Sequence, residues 1–240
     1  MFQTKQIIFH SPFADGLPTP VPTKKCIPDW YKKMPNFHDN LVTNLTVKKC
    51  MPFLDTLTSG YYILNPVDIL FKKNGDEIYW EIPKGIGETH RLLNVGIESH
   101  NAKQTSKEMV REDEEPIPFK LLNPWMIKTP KNYSCLITNP FNNTFNSNIR
   151  ILDGIVDTDT YNRIFINLPF FLKKLKNNEQ YILKKDTPVA LIFPFLRDNW
   201  KLKIDKKEKK QRDNIAYVTK AFSNLLDNYK NKFWNKKKYD

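Results

Sequence analysis

Large apolar residues fall in short runs, many with polar residues at alternate positions, separated by Pro, Asn, Asp, Gly and Ser. Alternation over four to eight residues, bounded by turn formers, is the pattern of a β-strand with one face buried. The runs Gln6–His10, Thr46–Lys48, Tyr61–Leu64, Val67–Lys72 and Glu77–Ile82 read this way. So do Lys120–Thr129, Tyr133–Thr138, Ile149–Val156, Arg163–Leu168, Tyr181–Leu183 and Val189–Leu196. Asn74-Gly75, followed by Asp76, is the best hairpin signal in the chain, because a tight turn needs positive φ and Gly adopts it without steric cost. Pro28–Met34 reads as one helical turn, and Cys50–Leu57 is an apolar segment of either type. Beyond Lys206 the period changes: Ile215, Val218, Phe222, Leu225, Leu226, Tyr229 and Phe233 recur at three- and four-residue steps, one face of a helix.

The pattern predicts a mainly β fold, a jelly-roll-like or β-clip domain with an extended N-terminal arm and one C-terminal amphipathic helix of about 25 residues. Residues 1–40 form the Pro-rich arm, 41–200 the β domain, and 201–240 a basic helix that packs on the domain or on a partner. Seventeen prolines against seven glycines imply connections made of extended, Pro-set segments. The chain is long enough, at 240 residues, to bury a core without metals or disulfides. No apolar run is long enough for a transmembrane helix. The start, MFQTKQIIFHSPF, lacks the apolar core of a secretory signal, so the expected location is intracellular (host cytoplasm) or a virion. Cys26, Cys50 and Cys135 are odd in number and widely spaced, which predicts free thiols.

Lys and Arg exceed Asp and Glu by 38 to 26, a net charge of +12 that attracts polyanions. Much of the excess lies in the last forty residues, where Lys206, Lys207, Lys209, Lys210 and Arg212 form a candidate nucleic-acid contact through phosphates. A solvated helix face is the alternative. His10, His38, His90 and His100 show no metal-ligand spacing beyond the adjacent His38-Asp39, no metal site is expected, and no nucleophile motif is present. Gly85-Ile86-Gly87 lacks the third glycine and the strand–turn–helix setting of a phosphate loop. The carboxylates offer more. In GIVDTDTY, Asp157 and Asp159 follow an apolar strand at i and i+2, where both would point the same way and could bind a cation or orient a water, with Tyr161 next. The alternative is a polar turn whose Asp side chains bond local backbone amides.

Three segments carry a resemblance: NPWMIKTPKNY (Asn123–Tyr133), GIVDTDTY (Gly154–Tyr161) and ILKKDTPVALI (Ile182–Ile192). In this order they resemble the trimeric dUTPase and dCTP deaminase superfamily, over about seventy residues. The resemblance implies a catalytic role for Asp157 as the water-orienting acid, with Asp159 in the site, Tyr161 as the base-stacking aromatic and Mg²⁺ bridging the phosphates. The chain departs from that family in several places. Thr160 is inserted before Tyr161, ITNPFNN (Ile137–Asn143) stands where an Arg-Ser-Gly phosphate motif falls, and Lys185 and Leu191 replace a Gly and a Gln. A basic helix takes the place of the Gly-rich phosphate clamp. The whole chain is also similar to a family of marine bacteriophages and some bacteria, through PDWYKKMP, TVKKCMPFLDTLTSGY, NPWMIKTP, GIVDTDTY and DTPVALIFPF. That resemblance supplies provenance and no mechanism.

Three readings follow. The first is a non-enzymatic phage-type assembly protein that forms a homo-oligomer or joins other virion or host proteins, without a cofactor. The second is a nucleotide-binding or nucleotide-hydrolysing enzyme with Asp157, Asp159, Tyr161 and Mg²⁺. The third, compatible with either, is nucleic-acid binding through the basic segment.

Overall fold

The computed structural model describes residues 4–39, 44–82, 94–143, 145–206, 209–223 and 227–240. The fold is mainly β, built from antiparallel sheets. Five strands form the sheet that carries the candidate site: β2 (Val21–Pro22), β3 (Tyr61–Leu64), β9 (Tyr133–Thr138), β11 (Gly154–Val156) and β14 (Pro188–Leu196). Their spatial order is β11-β9-β14-β3-β2. A four-stranded sheet has the order β10-β12-β7-β6, from β6 (Gly96–Ser99), β7 (Phe119–Leu122), β10 (Ile149–Ile151) and β12 (Leu168–Leu172). A third sheet, β13-β4-β5, joins β4 (Ile69–Asn74), β5 (Glu77–Glu81) and β13 (Gln180–Leu183). A two-stranded sheet pairs β1 (Ile8–His10) with β8 (Met126–Lys128).

The core is where these sheets face one another. Phe71 of β4, Phe119 of β7 and Phe170 of β12 are almost fully buried, with ring centroids 5.6–6.3 Å apart. Trp80 of β5 packs edge-on to Phe119, and Tyr181 of β13 stacks on Phe71. Each such ring contributes roughly 1.5–3 kcal/mol by burial and about 1 kcal/mol more by ring–ring geometry. Burial also pushes the Tyr181 hydroxyl up to about 12. The hairpin signal is realised with Asn74 opposite Glu77, so the two loop residues are Gly75 and Asp76, and Gly75 has φ +59°. Gly60 opens β3 at φ +95°, and a Cβ there would meet the Ile192 carbonyl of β14 at 2.7 Å. Both conditions select glycine.

Several sequence expectations are corrected. Thr46–Lys48 is no strand: the Lys48 N–H donates to Thr46 Oγ1 at 3.2 Å and the chain enters a 3-10 turn, Val47–Lys49. Cys50–Leu57 resolves as a helix, α2 (Met51–Thr58), which follows α1 (Asp29–Lys33). Lys120–Thr129 splits into β7 and β8 because Pro124 cannot donate to a ladder. At that break Asn123, 1% exposed, donates from Nδ2 to the carbonyls of Trp125 (2.9 Å) and Ile166 (3.1 Å) and accepts from the Trp125 N–H (3.1 Å). Trp125 Nε1 then donates to the Pro18 carbonyl, fastening the N-terminal stretch. Ile149–Val156 likewise divides into β10 and β11, which lie in different sheets. Arg163–Leu168 is irregular up to Leu168: the Ile166 carbonyl is taken by Asn123, and Ile164 is 54% exposed.

The C-terminal part is not one helix. It comprises α3 (Lys209–Ser223) and α4 (Asn228–Lys232), with Asp227 between them in the left-handed conformation at φ 57°. That backbone reversal is one Asp tolerates better than most residues, and it brings the carboxylate 2.7 Å from Lys49 Nζ. Beyond α4 the chain returns to the body. Trp234 Nε1 and Lys237 Nζ donate to the Asp55 carboxylate of α2, and the Tyr239 ring lies against Tyr61 and Phe193. Leu225 and Leu226 lie outside the described residues, as do Gly85-Ile86-Gly87, His90 and Lys207. Among the described residues no helix is long and apolar enough to cross a membrane.

Candidate functional site

Strand β9 lies between β11 and β14, so residues that leave these strands at the same end come together. Val156 of β11 and Pro194 of β14 both oppose Cys135, and Phe195 opposes Ser134. One step further, Asp157 and Arg197 arrive on either side of Ser134. Ser134 Oγ donates to Asp157 Oδ1 at 2.6 Å, and Arg197 Nη1 lies 2.9 Å from the same oxygen. Arg197 also grips Asp159 with both ends of its fork, Nη1 to Oδ1 at 3.0 Å and Nη2 to Oδ2. The Asn132 N–H donates to Asp159 Oδ2 at 2.8 Å. Arg197 is one of six arginines against 32 lysines, and a planar fork that meets carboxylates two bonds at a time is a reason to place Arg here.

The two acids do not lie side by side on a strand face, as their spacing predicted. Residues 157–161 form a tight turn in which the N–H groups of Thr160 and Tyr161 donate to the Asp157 carbonyl, at 3.0 and 2.8 Å. Thr158 anchors this turn from below. It is fully buried, shares a 2.7 Å hydrogen bond with Thr129 Oγ1, and donates to Cys135 Sγ at 3.3 Å. The Cys135 thiol is pushed up to about 11 by burial, which leaves it unreactive. Cys26 and Cys50 are also free thiols.

The two carboxylates differ in what they can do. The Asp159 side chain is 6% exposed and both its oxygens are bonded. The Asp157 side chain is 59% exposed, its bonds all reach Oδ1, and Oδ2 faces open space. Ser134 and then Arg197 hold the Asp157 carboxyl below the usual aspartate range, and Arg197 does the same for Asp159. Both are therefore anionic at neutral pH. Tyr161 follows with its side chain in solvent, 43% exposed. With the guanidinium between the two acids, they do not fit a shared cation site, and any Mg²⁺ would have to arrive with a phosphate ligand. Among the described residues no cluster of three or more His, Cys, Asp or Glu comes together. Sequence reasoning missed Arg197 and Ser134. The available signal was an arginine closing the apolar run Val189–Leu196 in a lysine-rich chain that elsewhere offers two spaced acids.

No family model matches the sequence, and neither does any curated protein. Among solved structures the chain is similar to the dUTPase of Staphylococcus bacteriophage 80alpha, at 11% identity, over 86% of this chain and 99% of that one, with a TM-score of 0.36.

The basic segment presents a different surface. Lys206 and Arg212 are exposed, and Lys209 and Lys210 stand in the first turn of α3. Before them, Trp200, Leu202 and Ile204 are 90%, 86% and 76% exposed. On α3, Ile215, Tyr217 and Val218 are exposed as well. Of the expected apolar stripe, Ile215 and Val218 are thus exposed.

Proposed function

We propose that the chain is a non-enzymatic, phage-type assembly protein, a virion component that joins a second copy of itself through the segment from Trp200 to Val218. In this reading residues 1–40 are an arm, 41–200 the β body and 201–240 the docking segment. The observation that carries it is the exposure of Trp200, Leu202 and Ile204 at alternate positions, with Lys201 and Lys203 between them. An extended segment with one apolar and one basic face matches an open strand edge with one apolar and one acidic face. Strand β5 has that form: it is an edge strand among the described residues, with Ile78 and Trp80 half-buried on one face and Glu77, Tyr79 and Glu81 exposed on the other. Exposed large apolar patches also mark interaction surfaces in general.

Sedimentation of the full chain tests this. The wild type should associate in a concentration-dependent way, and the triple change Trp200→Ser, Leu202→Ser, Ile204→Ser should give a monomer with an unchanged melting temperature. A wild-type monomer at all concentrations overturns the reading.

One observation favours a second reading, nucleotide binding or hydrolysis. The half-exposed Asp157 carboxylate and the exposed Tyr161 side chain belong to one tight turn, in which the Tyr161 N–H donates to the Asp157 carbonyl, an acid and a stacking surface on the same loop. A thermal-shift panel of deoxynucleoside triphosphates with Mg²⁺ tests it: stabilisation by one base that is lost in Asp157→Asn supports the reading, and a flat panel removes it. Nucleic-acid binding by Lys206, Lys207, Lys209, Lys210 and Arg212 is a property the docking segment can carry alongside either.

A further inference from the structure

Away from the Asp157 cluster, β10, the end of β12, the 111–114 turn and the loop after β9 enclose a cleft of about 280 Å³. Its base is a closed ion pair. Arg150 of β10 donates from Nε and Nη2 to the two oxygens of Glu114, at 2.6 and 2.7 Å, and from Nη2 to the Met109 carbonyl at 2.8 Å. The guanidinium lies 5.2 Å from the centre of the buried Phe171 ring, and the Arg111 N–H adds a third bond to Glu114. Glu114, with a side chain 6% exposed, is thereby saturated and balanced.

What remains in the cleft is rich in donors. Arg111, Ser147, Asn148, Arg150 and Lys173 line it, and Arg150 Nη1, the Arg111 guanidinium, the Lys173 ammonium and the side chains of Ser147 and Asn148 have no hydrogen-bond partner among the described residues. Against them stands one unbonded carboxylate, Asp113, so within the lining three cations face two acids, while Asp153, held by Thr138 and Asn139, acts on Arg150 from outside the lining. A carboxylate ligand offers about four acceptor sites, fewer than this set can fill, whereas a phosphate group offers three terminal oxygens and a second charge. We propose that this cleft binds a phosphate group, as inorganic phosphate or as the end of a phosphomonoester. The proposal is independent of the assembly reading, since no residue of the Trp200–Val218 segment takes part.

The test is calorimetric titration of the full chain with inorganic phosphate at constant ionic strength. The expected result is saturable one-to-one binding, at least tenfold weaker in Arg111→Gln/Lys173→Gln and tighter in Asp113→Asn. These side chains are exposed and make no hydrogen bonds, so the variants should melt like wild type without ligand. Lys25→Gln/Lys33→Gln removes the same charge elsewhere, at exposed lysines, and should leave the affinity unchanged. A deoxynucleoside 5′-monophosphate that binds more tightly than phosphate assigns the monoester, and equal affinity assigns the free ion. The absence of saturable heat up to about 10 mM phosphate, or an equal loss in the Lys25/Lys33 variant, overturns the proposal.

Discussion

Ile149-Arg150-Ile151 and Leu202-Lys203-Ile204 are nearly the same tripeptide, a branched apolar residue on each side of a cation. In β10 the two isoleucines are 8% and 1% exposed, while Leu202 and Ile204 are 86% and 76% exposed. The difference lies in what each stretch meets. Strand β10 has β12 alongside, with Ile149 opposite Leu172 and Ile151 opposite Phe170, and its cation finds Glu114 and the Phe171 ring. The 202–204 stretch belongs to no strand of the described chain. Alternation therefore specifies a strand that needs a neighbour, without naming the neighbour. One copy of the chain supplies it for β10, and the assembly reading has a second copy supply it for 200–204.

The contrast can be broken most forcefully at the isoleucines. Ile151→Ala should cost about 2–5 kcal/mol, and Ile204→Ala less than about 0.5 kcal/mol, in urea melts of the monomer. Equal losses would mean that residues 200–204 are packed in solution. The cations come next. Arg150→Met leaves Glu114 buried without its partner and should destabilise by about 3 kcal/mol, or roughly 6–12 °C in Tm, whereas Lys203→Met should leave the melt unchanged. Adding Glu114→Gln to Arg150→Met should recover much of the loss, because the orphaned charge is then gone.

The smallest effect concerns the exposed cluster at the sheet end. Asp157, through Ser134 and Arg197, and Asp159, through Arg197, have folded pKa values below their unfolded ones. Their contribution to stability is thus complete above the unfolded aspartate value of about 4 and fades as pH falls through the lower folded values. The Tm gap between wild type and Arg197→Met should be small and constant from about pH 5 to 7, and should close below about pH 4. A gap that persists in acid would show that Arg197 acts by packing alone.

Much of this molecule was legible in local pattern. Tyr61–Leu64 and Tyr133–Thr138 form strands with the bounds the pattern predicts, and the Gly75 turn follows from backbone conformation alone. Local chemistry reaches no further than a few residues, which is why it failed where a distant group competes for the backbone. Asn123 takes the carbonyl that Arg163–Leu168 needed to become a strand, and the Lys49–Asp227 pair accompanies the break in the predicted helix. Nothing in the locally acidic stretch KEMVREDEE (Lys107–Glu115) names the partners of Glu114 and Glu115. Both side chains are buried against distant cations, Arg150 of β10 and Lys73 of β4.

By itself, the sequence determined a mainly β chain with its turns, its apolar faces, and two spaced acids next to a tyrosine. Tertiary structure alone decided which acids close onto a guanidinium and which keeps an open oxygen. It also decided which of two similar tripeptides enters the core. The physical reason is the same in each case: hydrogen bonds and burial are settled by whichever group the fold brings within about 3–4 Å, and that group often lies tens of residues away along the chain.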